Sequence, residues 1–305
     1  MTYFFNSNIN NETDWKDLAS FPRAFDDLAR NLFKKHNITF SDLEFITNAS
    51  NAVFSSGNYI IKFILAKPED DYEKESFQTE IFGINTCVSA KIPTVNLIAH
   101  GLIKDKYNFY YIIMEKCNAM PFSLLDKTNL SKQRKIKIAQ NLSDITDKLN
   151  IPCESFNNRN FIEMAIYDDN WKCFSSNFQA ERLSFIKNYN TDKSLVFIHA
   201  DINQKNILIN DNDELIIIDF ADSLLAPKEY ELPVIVFELF NLDKDFLYGF
   251  FNQMNINNLA EICAKALIFH YYGAEIIKKH IKEYKELKNI YDLKKTIVNL
   301  INNSH

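Results

Sequence analysis

The stretch LVFIHADINQKNILINDNDELIIIDF, residues 195–220, constrains the fold most strongly. Two β-rich runs, NILIN and LIIID, flank the polar residues Asp211, Asn212, Asp213 and Glu214, and that pattern predicts a tight antiparallel hairpin. A turn centred between Asn212 and Asp213 places Asn206 opposite Asp219. Directly opposed residues keep their Cβ atoms roughly 5 Å apart on one face. The register therefore predicts that an amide oxygen and a carboxylate converge. Hard oxygen ligands in that arrangement suit Mg²⁺, which takes few protein ligands and completes its shell with water or phosphate. Asp201, in the loop feeding the first strand, can reach the same point.

The rest of the chain divides into two parts. Residues 21–36, FPRAFDDLARNLFKKH, carry Phe21, Phe25, Leu28, Leu32 and Phe33 at helical spacing and read as an amphipathic packing helix. From Leu43 to Ile64 the pattern changes to short β-rich runs, LEFIT, NAVFS and YIIKFI, broken by the turn signals NASN and SSGN. A helix over residues 73–89 and two more strand-like runs, TVNLIAHGL and FYYIIMEK, complete a first lobe of five strands and one helix. Pro121 and long helical patterns such as KQRKIKIAQNLSDITDKLN set a boundary near residue 118. Residues 1–117 form a β-rich first lobe with a leading helix, and residues 118–305 a mainly helical second lobe, giving an α+β, two-lobed fold.

Composition excludes several classes. With 47% hydrophobic residues among 305, the chain has enough apolar material to fold throughout. A net charge of −6 gives no broad footprint for nucleic acid. No apolar run reaches the roughly 18 residues of a membrane span, and the polar start lacks the pattern of a signal peptide, so a cytoplasmic location without membrane partners is expected. The five cysteines are scattered, with no CxxC pair and no histidine at zinc-ligand spacing, and read as free thiols.

The segment HADINQKN has the H-x-D-x-x-x-x-N spacing of a kinase catalytic loop, and Asp219, followed by Phe220, stands where the kinase DFG aspartate stands. HADINQKNILI, IIIDFAD and APKEYEL together resemble the aminoglycoside phosphotransferase and choline kinase-like superfamily, over most of residues 40–252. The resemblance implies a protein-kinase-like fold and transfer of a nucleotide γ-phosphate to a small-molecule hydroxyl. It implies Asp201 as catalytic base, Asn206 and Asp219 as Mg²⁺ ligands and His199 as a structural member of the loop. In the first lobe, Lys62 resembles the phosphate-binding lysine, with Glu80, or secondarily Glu75, as its orienting partner.

Further roles follow from the same resemblance. The loop NASNAVFSSGN has Gly57 alone in place of a glycine-rich motif, so Ser50 and Asn51, with backbone amides, would contact the phosphates of ATP or GTP. Glu115, Lys116 and Cys117 would offer backbone groups to the base. Ala200 replaces the family's usual glycine, and Asn203 stands where histidine or lysine is common.

The acceptor is read from weaker signals. Asp222, Glu231 and Glu238, with Asp168 and Asp169, are candidate acids for a cationic aminoglycoside-like substrate, Glu231 being better suited to bracing the site. Trp171, Tyr271 and Tyr272 would instead suit a choline-like ammonium through cation–π contact, a choline- or homoserine-type kinase. A nucleotide-binding pseudokinase acting as an interaction module is the reading from a different class. A protein kinase fits less well, because no APE-like segment follows DFAD.

Overall fold

The computed structural model describes residues 3–47, 50–67, 71–190, 195–252 and 255–304. Asn48 and Ala49 of the NASN turn lie outside them. The chain forms two compact units. One comprises the chain up to Ile84 with Thr94–Asn118, and the other comprises Asn85–Pro93 with the chain from Ala119 onward.

The first unit is built on a five-stranded sheet of β1 (Glu44–Phe45), β2 (Ala52–Ser56), β3 (Tyr59–Ala66), β4 (Leu97–Lys104) and β5 (Asn108–Glu115), in the order β1-β2-β3-β5-β4. Every pairing is antiparallel, the meander read from the sequence. Strand alternation sends Ile61 and Phe63 to one face, into an aromatic core with Phe5, Trp15, Phe25, Phe33, Phe54 and Phe109. Lys62 points to the other face, where α3 (Tyr72–Ser89) packs with Phe77 stacked on Tyr110 at 4.8 Å.

The leading helix differs from its sequence reading. Two α-helices precede the sheet: α1 (Glu12–Ala19) and α2 (Asp26–Lys35). Residues Pro22–Ala24 form a separate 3₁₀ turn, because proline suits the first position of a helical turn but lacks the N–H its interior needs. Helix α1 lies in the polar segment where no helix was read. Its signal is the cap: the Asn11 side chain accepts from the Asp14 N–H at 2.9 Å, and the Asp14 carboxylate accepts from the Asn10 N–H at 2.8 Å.

The second unit is mainly helical: α4 (Lys132–Leu149), α5 (Phe161–Tyr167), α6 (Ser176–Lys187), α7 (Lys244–Phe251), α8 (Ile256–Leu267), α9 (Gly273–His280) and α10 (Ile290–Asn303). Two small antiparallel sheets hold the chemistry-bearing segments in place. Strand β6 (Met120–Pro121), which precedes α4, pairs with β8 (Ile207–Ile209), which pairs with β9 (Leu215–Ile217), while β7 (Val196–Ile198) pairs with β10 (Leu224–Ala226). Strands β7–β10 lie between α6 and α7 in sequence. The hairpin β8–β9 and its neighbours β7 and β10 leave residues 199–206 and 218–223 as the two loops between strands.

The hairpin forms, with its register one residue from the sequence reading. Ile207 faces Ile217 and Ile209 faces Leu215, so the Asn206 carbonyl accepts from the Ile218 N–H at 3.0 Å and Asp219 is displaced from it. The turn is the cause. Asn210 N–H donates to the Glu214 carbonyl, closing a loop of Asp211, Asn212 and Asp213, and Asp213 takes the left-handed conformation at φ 62°. A three-residue loop of this kind centres on Asn212 and shifts the partners by one.

Candidate active site

In the first unit, Lys62 Nζ donates to Glu80 Oε2 at 2.7 Å, with side chains 7% and 3% exposed. Strand β3 supplies the lysine and α3 the glutamate. A buried ammonium without its carboxylate would be strongly unfavourable, so the pair fixes the lysine in one place. Glu75 lies on the same helix, half-buried. Ser50 is exposed and Asn51 half-buried just before β2. At the end of β5, the Glu115 N–H donates to the Asn96 carbonyl at 2.9 Å and the Lys116 N–H to the Asn58 carbonyl at 2.8 Å. Cys117, the next residue, is half-buried, and its N–H makes no such bond among the described residues.

The second unit assembles its polar groups on the loop between β7 and β8. Asp201 is the focus: Oδ1 accepts from Asn203 Nδ2 at 2.8 Å and Oδ2 from Asn206 Nδ2 at 2.7 Å. Asn206 Nδ2 also donates to the Asp201 carbonyl at 3.0 Å. Carbonyl and carboxylate oxygens only accept here, so the Asn206 amide nitrogen must face Asp201 and its oxygen must face away. Asn203 in turn accepts from the Lys205 and Asn206 N–H groups, an Asx turn that shapes the loop. Burial pushes the Asp201 carboxyl up to about 7, opposed by the Asn203 bond, with the charges of Asp222 and Asp219 raising it further.

His199, fully buried, ties this loop to the end of the hairpin. Its Nδ1 accepts from the Asp201 N–H at 3.2 Å, and its Nε2 donates to the Ile218 carbonyl at 3.0 Å. Burial lowers its pKa, keeping the ring neutral with its proton on Nε2. Asp219, next in sequence, sits at φ 65°, outside β9. A free-facing amide oxygen on Asn206 and a carboxylate on Asp219 are donors that fit Mg²⁺. Among the described residues no group of three or more His, Cys, Asp or Glu side chains could hold a metal ion, so a cation here would draw the rest of its shell from ligand oxygens and water.

Glu231 braces the loop from below. Its Oε1 accepts from the Ala200 N–H at 2.7 Å, and its Oε2 from the His199 N–H at 3.0 Å and Asn150 Nδ2 at 3.2 Å. With 1% exposure and both oxygens engaged, it is not available to a substrate, which corrects its place among the candidate acids. Burial pushes it up to about 7 against these three bonds. Glu238 needs the same correction: it is paired with Lys279 and hydrogen-bonded to His280 at 3.0 Å. Trp171 is also withdrawn as a substrate aromatic, since it is buried under the Arg182 guanidinium at 4.0 Å. Asp168 caps the turn at Asn170 N–H, and Asp169 pairs with Lys172.

Asp222 remains. It is partly exposed, accepts from Tyr272 Oη at 2.9 Å and lies 3.9 Å from Arg159, while Tyr271 is 46% exposed with its ring 5.0 Å from that of Tyr272. Sequence reasoning missed Asn150, Arg159 and the orienting role of Asn203. Only Asn203 carried a signal, an Asx turn two residues after Asp201.

No family model and no curated protein matches the chain. Solved structures match over nearly its full length. The GDP and kanamycin complex of APH(2")-IIIa has a TM-score of 0.56 at 13% identity, covering 91% of this chain and 99% of that one. The chain has the aminoglycoside phosphotransferase fold. The apo form of a thermostable mutant of aminoglycoside phosphotransferase APH(4)-Ia gives 0.59 at 14% identity, covering 88% and 98%, and the streptomycin–ATP–APH(2")-IIa ternary complex gives 0.56 at 15%, covering 90% and 97%. This is the protein-kinase-like, two-lobed α+β architecture expected from HADINQKN and IIIDF. None of the helices in the described residues is long and apolar enough to cross a membrane.

Two conformational features of the site give tests. Ala200 sits at φ 69°, a left-handed conformation that costs a residue with a Cβ about 1 kcal/mol relative to glycine. Ala200→Gly should therefore raise the melting temperature by about 2 °C, as read by calorimetry. His270 is buried, stacked on Tyr230 at 4.4 Å, with Nδ1 accepting from the Tyr272 N–H, and burial lowers its pKa to about 3. The folded form thus binds fewer protons than the unfolded one between pH 6.5 and 3, so this contribution is intact above pH 6.5 and is lost as pH falls. Between pH 7 and 5 it amounts to about 2 kcal/mol. Urea unfolding of His270→Phe should show a shallower loss over that interval; an unchanged slope would count against a neutral buried ring.

Proposed function

We propose that the protein is a small-molecule O-phosphotransferase that moves the γ-phosphate of ATP or GTP to a hydroxyl of a cationic amino-alcohol or amino-sugar. The observation that carries this reading is the loop itself, where one carboxylate, Asp201, is held by Asn203 and Asn206 so that its remaining lone pairs can accept a proton. Asp201 would orient the substrate hydroxyl and take its proton as the oxygen attacks phosphorus and the bond from the γ-phosphorus to the β–γ bridging oxygen breaks. Asn206, through its outward amide oxygen, and Asp219 would hold magnesium. When bound with the nucleotide, magnesium neutralises charge on the β- and γ-phosphates. Lys62, fixed by Glu80, supplies positive charge for the α- and β-phosphates, and the Cys117 N–H is the hinge donor left for the base. Little covalent chemistry is asked of the protein, and positioning with electrostatic stabilisation supplies most of the rate.

For the acceptor, similarity in fold to proteins solved with kanamycin and streptomycin supports an aminoglycoside-like substrate. A smaller ammonium alcohol is a second reading, favoured by the site residues themselves: with Glu231 buried and Glu238 paired with Lys279, the partly exposed Asp222 is the candidate acid, and Tyr271 and Tyr272 stand beside it. Purified protein with Mg-ATP or Mg-GTP and a panel of aminoglycosides, choline, amino-alcohols and sugars separates the two. Turnover confined to aminoglycosides supports the first and turnover confined to choline or amino-alcohols the second. Tight nucleotide binding with no acceptor turned over would point instead to a binding module.

A further inference from the structure

The N-terminal segment is tied to the turn between β4 and β5 by a run of specific bonds. Asp105, in the turn between β4 and β5, accepts from the Phe4 N–H at 3.1 Å and the Phe5 N–H at 2.6 Å. The next residue, Lys106, donates to the Asn6 carbonyl at 3.2 Å, the Ser7 carbonyl at 3.0 Å and Asn8 Oδ1 at 2.6 Å. Tyr107 Oη accepts from the Ile9 N–H at 2.8 Å. Three consecutive turn residues thus hold a strap of six. The strap ends at Asn10 and Asn11, which cap α1, and α1 delivers Trp15.

Trp15 is packed against Phe25 and Phe109, with ring centroids 6.0 and 6.2 Å away, and its indole N–H donates to the Ser50 carbonyl at 2.9 Å. That carbonyl belongs to the peptide unit joining Ser50 to Asn51. The unit is planar and trans, so its N–H points opposite to its C=O. Holding the Ser50 oxygen on the indole therefore aims the Asn51 N–H away from the core. In a glycine-rich loop, backbone amides meet phosphate through flexible glycines, whereas here no glycine precedes Gly57 in the segment. A fixed amide needs an external anchor.

We infer that Trp15 is a positioning residue for nucleotide binding: clamped by the N-terminal strap, it sets the Ser50–Asn51 peptide so that the Asn51 N–H is presented to the phosphates of the donor nucleotide. This rests on the reading of Ser50 and Asn51 as nucleotide contacts. Trp15→Phe keeps an aromatic ring in the cluster and removes the N–H. Loss of one such hydrogen bond corresponds to a roughly five-fold effect on an equilibrium.

The test is the affinity of full-length protein for Mg-ATP and Mg-GTP by isothermal titration, together with steady-state kinetics. The wild type should bind nucleotide, and Trp15→Phe should raise the nucleotide Kd and KM about five-fold, with kcat and the acceptor KM unchanged. Phe33→Leu, in the same core but packed on Phe40 and Tyr59, should lower the melting temperature and leave the nucleotide Kd alone. Asp105→Ala, which releases the far end of the strap, should weaken nucleotide binding in the same direction and by less; it carries the test if Trp15→Phe does not fold. A Trp15→Phe Kd equal to wild type, or a Phe33→Leu Kd raised as much, would overturn the inference. Failure of the wild type to bind either nucleotide would overturn the phosphotransferase reading with it.

Discussion

Asp201→Asn should lower kcat by about a thousand-fold while leaving the Kd for Mg-nucleotide within about two-fold of wild type. Asparagine matches aspartate in shape, and its oxygen can still accept from Asn206 or Asn203, so the loop keeps one of its two anchors. What it cannot do is accept a proton from the substrate hydroxyl. The split between lost turnover and retained nucleotide binding distinguishes a general base from a metal ligand, since loss of Asp219 should weaken both. Unimpaired turnover in Asp201→Asn would remove the residue from its catalytic role.

The second large effect is expected at Glu231, which touches no reacting group. Glu231→Ala leaves the His199 and Ala200 N–H groups and the Asn150 amide without their acceptor inside a fully buried site. An unsatisfied buried donor costs about 1–3 kcal/mol, so the variant should lose about 3–5 kcal/mol and melt about 5–10 °C lower. Because those two N–H groups are the backbone on which Asp201 is mounted, kcat should fall with stability, even at temperatures where the variant is folded. Glu231→Gln should fall between the two proteins: its carbonyl oxygen can accept from one backbone N–H, but its amide faces the other, donor against donor. A wild-type melting temperature for Glu231→Ala would contradict the bracing geometry.

The legibility of this fold in the sequence followed the kind of signal involved. Alternation in YIIKFI and FYYIIMEK is a local property of the strands, and the five-stranded sheet and the α3 cover appear where those patterns lie. Hairpin register was less secure, because it depends on how the turn closes. The Asn210–Glu214 bond and the left-handed Asp213 make a three-residue loop, a choice that NDNDE does not declare, and one residue of slip removes the cross-strand opposition of Asn206 and Asp219. The polar groups that the structure does gather are held by side-chain bonds within the Asp201 loop, and Asp219 lies on the left-handed turn after β9.

The candidate acids show a different limit. Glu231, Glu238 and Asp222 look alike in sequence, and only their surroundings separate a brace with three donors, a carboxylate engaged by Lys279 and His280, and a partly exposed group beside two tyrosines. Helix α1 was overlooked because its apolar face is short; its Asn11 cap was the available sign. Trp171 fell to burial, as large aromatics at helical spacing commonly do.

The most direct measurement is ³¹P NMR of the purified protein with nucleotide and the acceptor panel, with and without Mg²⁺, alongside Asp201→Asn. The expected result is a new phosphomonoester resonance on an acceptor, growing as the γ-phosphate signal declines, dependent on Mg²⁺ and absent in the variant. Bound Mg-nucleotide with an undiminished γ-phosphate signal across the whole panel, or a phosphomonoester formed equally by Asp201→Asn, would contradict phosphoryl transfer at this loop.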